Sequence, residues 1–411
     1  MRSVGSWPAR SWRSGGESGS CWVSSRPTRS RARTCSGTSV IDHHCHSIAR
    51  TPPADVAAFR APFTESRDPS FIRDHMLQWP SYCRAVRELC AFYGVVGEEA
   101  LVRHIRTLPL ADRARRLFAD AGFEMLLVDT GYRPEDLLTV EELGDIVPAR
   151  PVLRIERVAE DLLPESSTPD ALIGGVLEHI RKAVRAGAVA VKTVLAYRTG
   201  LRIAAHPPSE VREAFSQVKT STKAGRRVRL TSKPLLDTLV WEVCQAAGEL
   251  RIPVQIHTGF GDADLLLPDS NPAWLKPLFE DPACRNATFV LLHCHPYVRD
   301  AAWLASVYGN VYMDLSLTIP MTGHGAAEAI AAALQLAPWS KVLLATDAHT
   351  LPERFWAAAR LMRDALRKAL AEMRSHGFLT DSDLEAATAT LLAENARGVY
   401  RLRSLSGSDE G

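Results

Sequence analysis

The sequence predicts an α/β chain built as one distorted (β/α)8 TIM barrel with insertions after its first and fourth strands. Three observations carry that prediction. Eight short runs rich in Val, Ile and Leu recur along the 411 residues, the composition of strands covered on both faces in a parallel sheet. Helical stretches separate the runs, and this alternation builds parallel sheets. The alternation continues over roughly 350 residues, which suits one enlarged barrel better than two domains.

The strands are expected at 40–45, 124–129, 151–157, 188–195, 253–258, 288–294, 311–315 and 342–347. Pro151 and Pro253 mark two of the strand entries. The clearest helices are expected at 97–121, 171–186, 234–250, 272–281, 298–307, 323–336 and 352–375. Thr168-Pro169-Asp170 reads as a helix start with Pro in the first turn. Residues 47–96 form the first insertion, with 69–93 helical and broken at Pro80. Residues 197–233 form the second and carry nine cations against two acids. Both follow strands, so both are expected at the C-terminal face, where such barrels keep their active sites. The nine-cation stretch reads either as a solvated loop or as an anion-attracting lid.

The barrel is placed at 40–403, preceded by a disordered extension over 1–39 and followed by a tail over 404–411. The extension holds eleven Ser, seven Arg and three Trp with a single acid. It has no apolar stretch of the secretory kind, and its Arg- and Ser-rich make-up only formally matches a transit peptide. A passive tail is the preferred reading.

Composition sets further bounds. Charged residues at 23% and aromatics at 7% describe an ordinary folded protein. A net charge of +2 gives no case for nucleic-acid binding. No run of 18 apolar residues occurs, so no transmembrane helix is expected. The eight Cys form no CxxC pair, which favours reduced thiols and a cytoplasmic protein. The expected partner is a small-molecule substrate, with no nucleic acid and no membrane, and homo-oligomer formation is left open.

Polar residues concentrate at the strand ends. The first strand ends Asp42-His43-His44-Cys45-His46. His44 and His46 are two apart, so on a strand they share one side. His257, His293 and Asp347 end the fifth, sixth and eighth strands, and Lys192 interrupts an otherwise apolar fourth strand. One buried His is most often a satisfied core residue. Five strands presenting such groups at one height read instead as a metal site.

These residues carry a resemblance. Asp42-x-His44-x-His46 followed by His257, His293 and Asp347 resembles the metal signature of the amidohydrolase superfamily. The segments 191–201, 255–262, 291–297 with the run on to 316, and 346–349 resemble one branch of it, the amidohydrolase-2 type. That branch occurs fused to glutamine-synthetase-like domains in FluG and nodulin-type proteins, and alone in bacteria. The resemblance covers about residues 40–403. His295 and His349 depart from the pattern, and no ligase-type domain follows, so no glutamine-synthesising role is carried over.

The resemblance implies a divalent metal, zinc, as one or two ions. It implies that His44, His46 and His257 are ligands and that Asp347 is both a weak ligand and the base that takes a proton from the attacking water. His293 is implied as a ligand in two-metal relatives and as a proton carrier or substrate-polarising group in one-metal relatives. Three readings stay open for Lys192: a carboxylated bridge between two metals, a substrate-binding ammonium, or a structural ion pair. The cost of an uncompensated cation beside a metal favours the bridge.

Arg154 and Glu156, two apart on the third strand, read as a substrate clamp or as an internal ion pair. Tyr197 and Arg198 follow the fourth strand and are the next expected substrate contacts. The expected reaction is hydrolysis of an amide-type C–N bond in a small carboxylate-bearing, γ-glutamyl-like substrate. A metal-dependent non-oxidative decarboxylase is the first alternative and a catalytically silent binding domain the second.

Overall fold

The computed structural model describes residues 38–133, 135–221 and 228–402. Residues 1–37 of the expected extension, the whole expected tail and Lys223, Arg226 and Arg227 of the second insertion lie outside the described residues.

Eight strands form one sheet in sequence order: β1 (Val40–Cys45), β2 (Phe123–Asp129), β3 (Ala149–Arg154), β4 (Ala190–Thr193), β5 (Pro253–Thr258), β6 (Thr288–His293), β7 (Val311–Asp314) and β8 (Val342–Leu343). Every neighbouring pair is parallel. The expected (β/α)8 barrel is therefore the fold. β1 and β8 meet beyond the regular ladders. Asp347 N donates to His44 O at 3.0 Å and His46 N to Ala348 O at 2.8 Å. The Asp42 carboxylate accepts from Thr346 N at 3.0 Å and from Thr346 Oγ1 at 2.5 Å. These bonds close the seam.

Three strands stop two or more residues short of their expected ends, each for a local reason. β3 ends at Arg154 because Ile155 opens a helix that runs to Leu162. β4 gives way to a turn at Leu195–Tyr197. β8 pairs over two residues only, and the chain then turns so that Asp347 has φ of 49°. His293 and Cys294 at the end of β6 also have positive φ, 68° and 66°. A left-handed non-glycine residue costs of order 1–3 kcal/mol, and such strain gathers where side chains must be aimed.

Most helices lie where expected. Pro169–Arg185 starts with the Thr168 side chain accepting from Ala171 N, and Lys233–Leu250, Val298–Val307 and Pro352–Ser375 follow the sequence reading closely. The stretch 97–121 is two helices, Glu98–Thr107 and Leu110–Ala121, parted at Pro109. The first insertion contains helices Val56–Arg60, Pro69–Asp74 and Pro80–Tyr93. The second contains Pro208–Ser221, which its run of cations did not announce.

Two further helices, Asp381–Ala389 and Asn395–Val399, were not expected from the sequence, although Thr380 and Asp383 form a capping box at the start of the first. Their end packs into the barrel. Ala393, Ala396 and Tyr400 join Ile41, Met125, Leu127, Val152, Ala190, Val290, Leu292 and Leu343 in one buried apolar cluster. This cluster fills the barrel below the strand ends and supplies a rigid floor for the groups above it. No helix among the described residues is long and apolar enough to cross a membrane.

Candidate metal centre

The site begins with an irregularity in β1. Asp42 pairs with Leu126 and Cys45 with Val128, so β1 has one residue more than β2 between those pairs. Such a bulge re-aims side chains. Neighbours that would otherwise point apart both reach polar partners inside the barrel: His43 reaches Asp314 and Tyr400, while His44 reaches Asp347 and Gln255.

His44 Nε2 lies 3.1 Å from Asp347 Oδ1, and His46 Nε2 lies 3.4 Å from the same oxygen. Ligand atoms of His44, His46 and Asp347 all fall within 4.8 Å of one another, and all three residues are buried. Burial, then the Lys192 cation, pushes the proton affinity of His44 down to about 4. Burial opposes ionisation of Asp347, but His293, His44 and His46 outweigh it and hold the carboxyl well below the usual carboxylate range. At neutral pH His44 is thus a neutral imidazole and Asp347 an ionised carboxylate, the protonation states that divalent metals bind.

The fit to such an ion rests on atoms left without partners. Asp347 Oδ1, His46 Nδ1 and His257 Nε2 are buried and make no hydrogen bond among the described residues. Buried polar atoms are normally paired, because leaving one unpaired costs about 1–3 kcal/mol. A divalent cation held by His44, His46 and Asp347 with His257 near it would satisfy this donor set.

Lys192 stands on the cavity wall with its Nζ 2.9 Å from His44 Nε2 and 3.3 Å from Asp129 Oδ2. Asp129 also takes Arg154, at 3.1 Å from Nε and 2.5 Å from Nη2. Strand register explains the grouping, since Arg154 is the β-partner of Lys192. Burial alone would raise Asp129, but Arg154 and Lys192 hold it far below the usual carboxylate range. Asp129 offsets part of the cost of a buried cation at Lys192, but burial outweighs it and holds the Lys192 proton affinity below the ordinary lysine range.

Glu156 departs from its expected place. It belongs to the first turn of helix Ile155–Leu162, not to β3, and its Oε1 accepts from Thr193 Oγ1 at 2.5 Å and Val194 N at 3.0 Å. It braces the end of β4 and does not line the substrate cavity with Arg154. The partner of Arg154 is Asp129 instead.

A cavity of about 850 Å³ opens above the cluster, bounded by His46, Arg154, Lys192, Tyr197, Arg198, His257, His293 and Asp347 among others. His257 and His293 face each other with ring centres 4.4 Å apart, and burial keeps both well below the ordinary histidine range. The Tyr197 ring lies 4.5 Å from that of His257. Arg198 is held by Glu160 at 3.0 Å. His349 lines the cavity beside Tyr132, at 5.1 Å between rings, whereas His295 meets Phe260 edge-on at 5.3 Å. Gly259 takes φ of +72°, and a side chain there would run into the His295 carbonyl, so the turn after β5 requires glycine.

Asp129 and Asp314 were missed in the sequence. Both end strands, at EMLLVD and VYMD, and the same rule that selected Asp347 would have found them. Tyr132 and Glu65 also line the cavity, but they come from loops and carried no signal.

With this geometry in view, known proteins give a consistent picture. The amidohydrolase family profile matches residues 174–402. Protein fluG of Emericella nidulans is 36% identical over 226 residues, which is 52% of this chain and 26% of that protein, so the chain spans about a quarter of this relative's length. A proposed metal-dependent hydrolase from Lactobacillus casei superposes with a TM-score of 0.80 at 27% identity, covering 89% of this chain and 97% of the other. A glucuronate isomerase from Caulobacter crescentus shares the fold at 15% identity, with a TM-score of 0.63 over 89% of this chain and 92% of its own. Since the profile takes in more than half of the residues and the barrel superposes almost throughout, the chain belongs to the amidohydrolase family and is an enzyme of that superfamily.

Proposed function

We propose that this enzyme hydrolyses an amide-type C–N bond in a small carboxylate-bearing substrate, using one divalent cation held by His44, His46 and Asp347. The observation that carries the reading is the buried cluster of those three side chains at the floor of a large cavity, with Asp347 Oδ1 left without a hydrogen-bond partner. When bound, a divalent cation such as zinc supplies a Lewis-acid charge that makes water a nucleophile near neutral pH.

The chain's own residues do the rest. Asp347, ionised and within 3.1 Å of His44 Nε2, accepts the proton of the attacking water at its carboxylate. It then returns the proton to the leaving nitrogen, with His293 close by: His293 Nδ1 is 4.0 Å from Asp347 Oδ2. Substrate selection falls to the cavity wall. Arg154 and Lys192 share the single carboxylate of Asp129, which leaves one unit of positive charge in excess facing the cavity. An anionic substrate group answers that excess. Lys192 acts as an ammonium in this reading, and Tyr197 and Arg198 complete the wall. The proposed setting is the cytoplasm, with a small molecule as the partner.

The test is a panel of amides with and without a free carboxylate, γ-glutamyl amides among them, assayed for amine release by the zinc-loaded enzyme. The proposal expects turnover confined to the carboxylate-bearing members. Carbon dioxide release from phenolic acids, with no amine release from any amide, would replace hydrolysis by decarboxylation.

A further inference from the structure

Beneath the cluster runs a buried hydrogen-bond chain that the reaction above does not use. His44 Nδ1 lies 2.9 Å from Gln255 Oε1. An amide oxygen only accepts, so Nδ1 carries the proton and Nε2 keeps its lone pair. Gln255 cannot be flipped, because its Nε2 donates to the His43 carbonyl at 2.8 Å and to the Tyr400 hydroxyl at 2.9 Å. The Tyr400 hydroxyl, having accepted there, gives its own proton to His43 Nδ1 at 3.0 Å. The chain ends there: His43 Nε2 lies 3.1 Å from Asp314 Oδ2, but no hydrogen bond joins the two atoms.

A separate set of bonds gathers on this carboxylate. Asp314 Oδ1 accepts from Ser316 Oγ at 3.0 Å, Ser316 N at 3.1 Å and His293 N at 2.5 Å. Ser316 Oγ also lies 2.8 Å from His293 Nδ1, which accepts from Leu317 N at 3.4 Å. His43, Gln255, Asp314 and Ser316 are completely buried and Tyr400 is 3% exposed. Water therefore does not compete for these links, and the donor directions from His44 to His43 follow one from another.

We propose that Gln255 fixes the tautomer of His44, and that Gln255 and Tyr400 are the positioning residues of this arm. The His44 imidazole is held with its proton on Nδ1, leaving the Nε2 lone pair turned toward Lys192 Nζ and the metal cluster. A cation then meets His44 already in the binding tautomer, with its ring orientation locked from behind. Tyr400 reaches this chain from beyond the last barrel strand, packed among the residues of the barrel floor. The C-terminal segment is thereby part of the metal site without touching it.

The inference rests on the reading of His44 as a metal ligand, and its test separates the two. Zinc affinity of the full-length, metal-free protein is measured by competition with a chromophoric chelator, alongside the unfolding temperature of each metal-free variant. Tyr400→Phe removes one hydroxyl. Gln255→Leu removes the acceptor for His44, whereas Gln255→Glu retains it. Tyr400→Phe and Gln255→Leu are expected to weaken zinc binding about 10- to 100-fold, the usual range for groups that orient a ligand, while Gln255→Glu binds at least as tightly as the native protein. Unchanged affinity in Tyr400→Phe, or equal weakening in both Gln255 variants, overturns the inference, since packing alone would then account for these residues. If Tyr400→Phe does not fold, the Gln255 pair decides. A native protein that binds no zinc overturns the reading of the metal site instead.

Discussion

Asp347 carries the heaviest load of any single residue. It is buried, ionised and aimed by a left-handed backbone. Asp347→Asn preserves its shape and removes its charge, so turnover is expected to fall about 100-fold or more, the scale of a lost general base. Steady-state rates on any substrate from the amide panel check this. Lys192 gives a second test. As an ammonium paired with Asp129, its replacement in Lys192→Met should leave the metal content at one ion per chain, measured by elemental analysis. The loss should appear as weaker binding of carboxylate-bearing substrates, about 1.5–3 kcal/mol for a charge-assisted hydrogen bond. A fall in metal content would restore the bridging role. The position of Lys192 was readable as one polar residue in an apolar strand. Its partner was not, because Asp129 lies 63 positions earlier and meets it only through the register of β2, β3 and β4.

Among elements, the seam between β1 and β8 is the most exposed to failure. β8 pairs over two residues, so closure depends on Asp42 and Thr346. Asp42→Ala strips the acceptor from two buried donors and is expected to cost about 2–6 kcal/mol, taking 1–3 for each unsatisfied group. Asp42→Asn retains an acceptor and should cost less. Urea unfolding of both variants checks the order, and equal stability of the two would show that the seam does not depend on this acceptor. Strand composition made the eight strands legible, because each is covered on both faces and is rich in Val, Ile and Leu. Strand ends were less legible. β3 runs directly into a helix at Ile155, so reading the strand on to 157 placed Glu156 beside Arg154 when it points elsewhere. The closing helices were missed for another reason. Asp381–Ala389 has only Ala387 buried and so shows no strong apolar stripe.

At the scale of the whole molecule, metal and proton compete for the same fold. In the metal-free protein, burial lowers the proton affinity of His44 to about 4 and that of His257 and His293 well below the ordinary value. Unfolded, each takes up a proton near pH 6.5. Below that pH the unfolded chain binds protons that the folded chain refuses, so stability falls as pH falls, by up to about 1.4 kcal/mol per unit for each such histidine. Above pH 6.5 these groups contribute no slope. Chemical unfolding of the metal-free protein between pH 8 and pH 5 should show this loss. A free divalent ion at 100 times its dissociation constant should add about 2.7 kcal/mol at neutral pH.

The central claim is that His44, His46 and Asp347 hold one divalent ion. Titration of metal-free protein with zinc, read by calorimetry beside elemental analysis, tests it most directly when His44→Ala and His46→Ala are run in parallel. The account expects one tightly bound ion per native chain and its loss in both variants. Tight binding that survives in both variants, or none in the native protein, would contradict it.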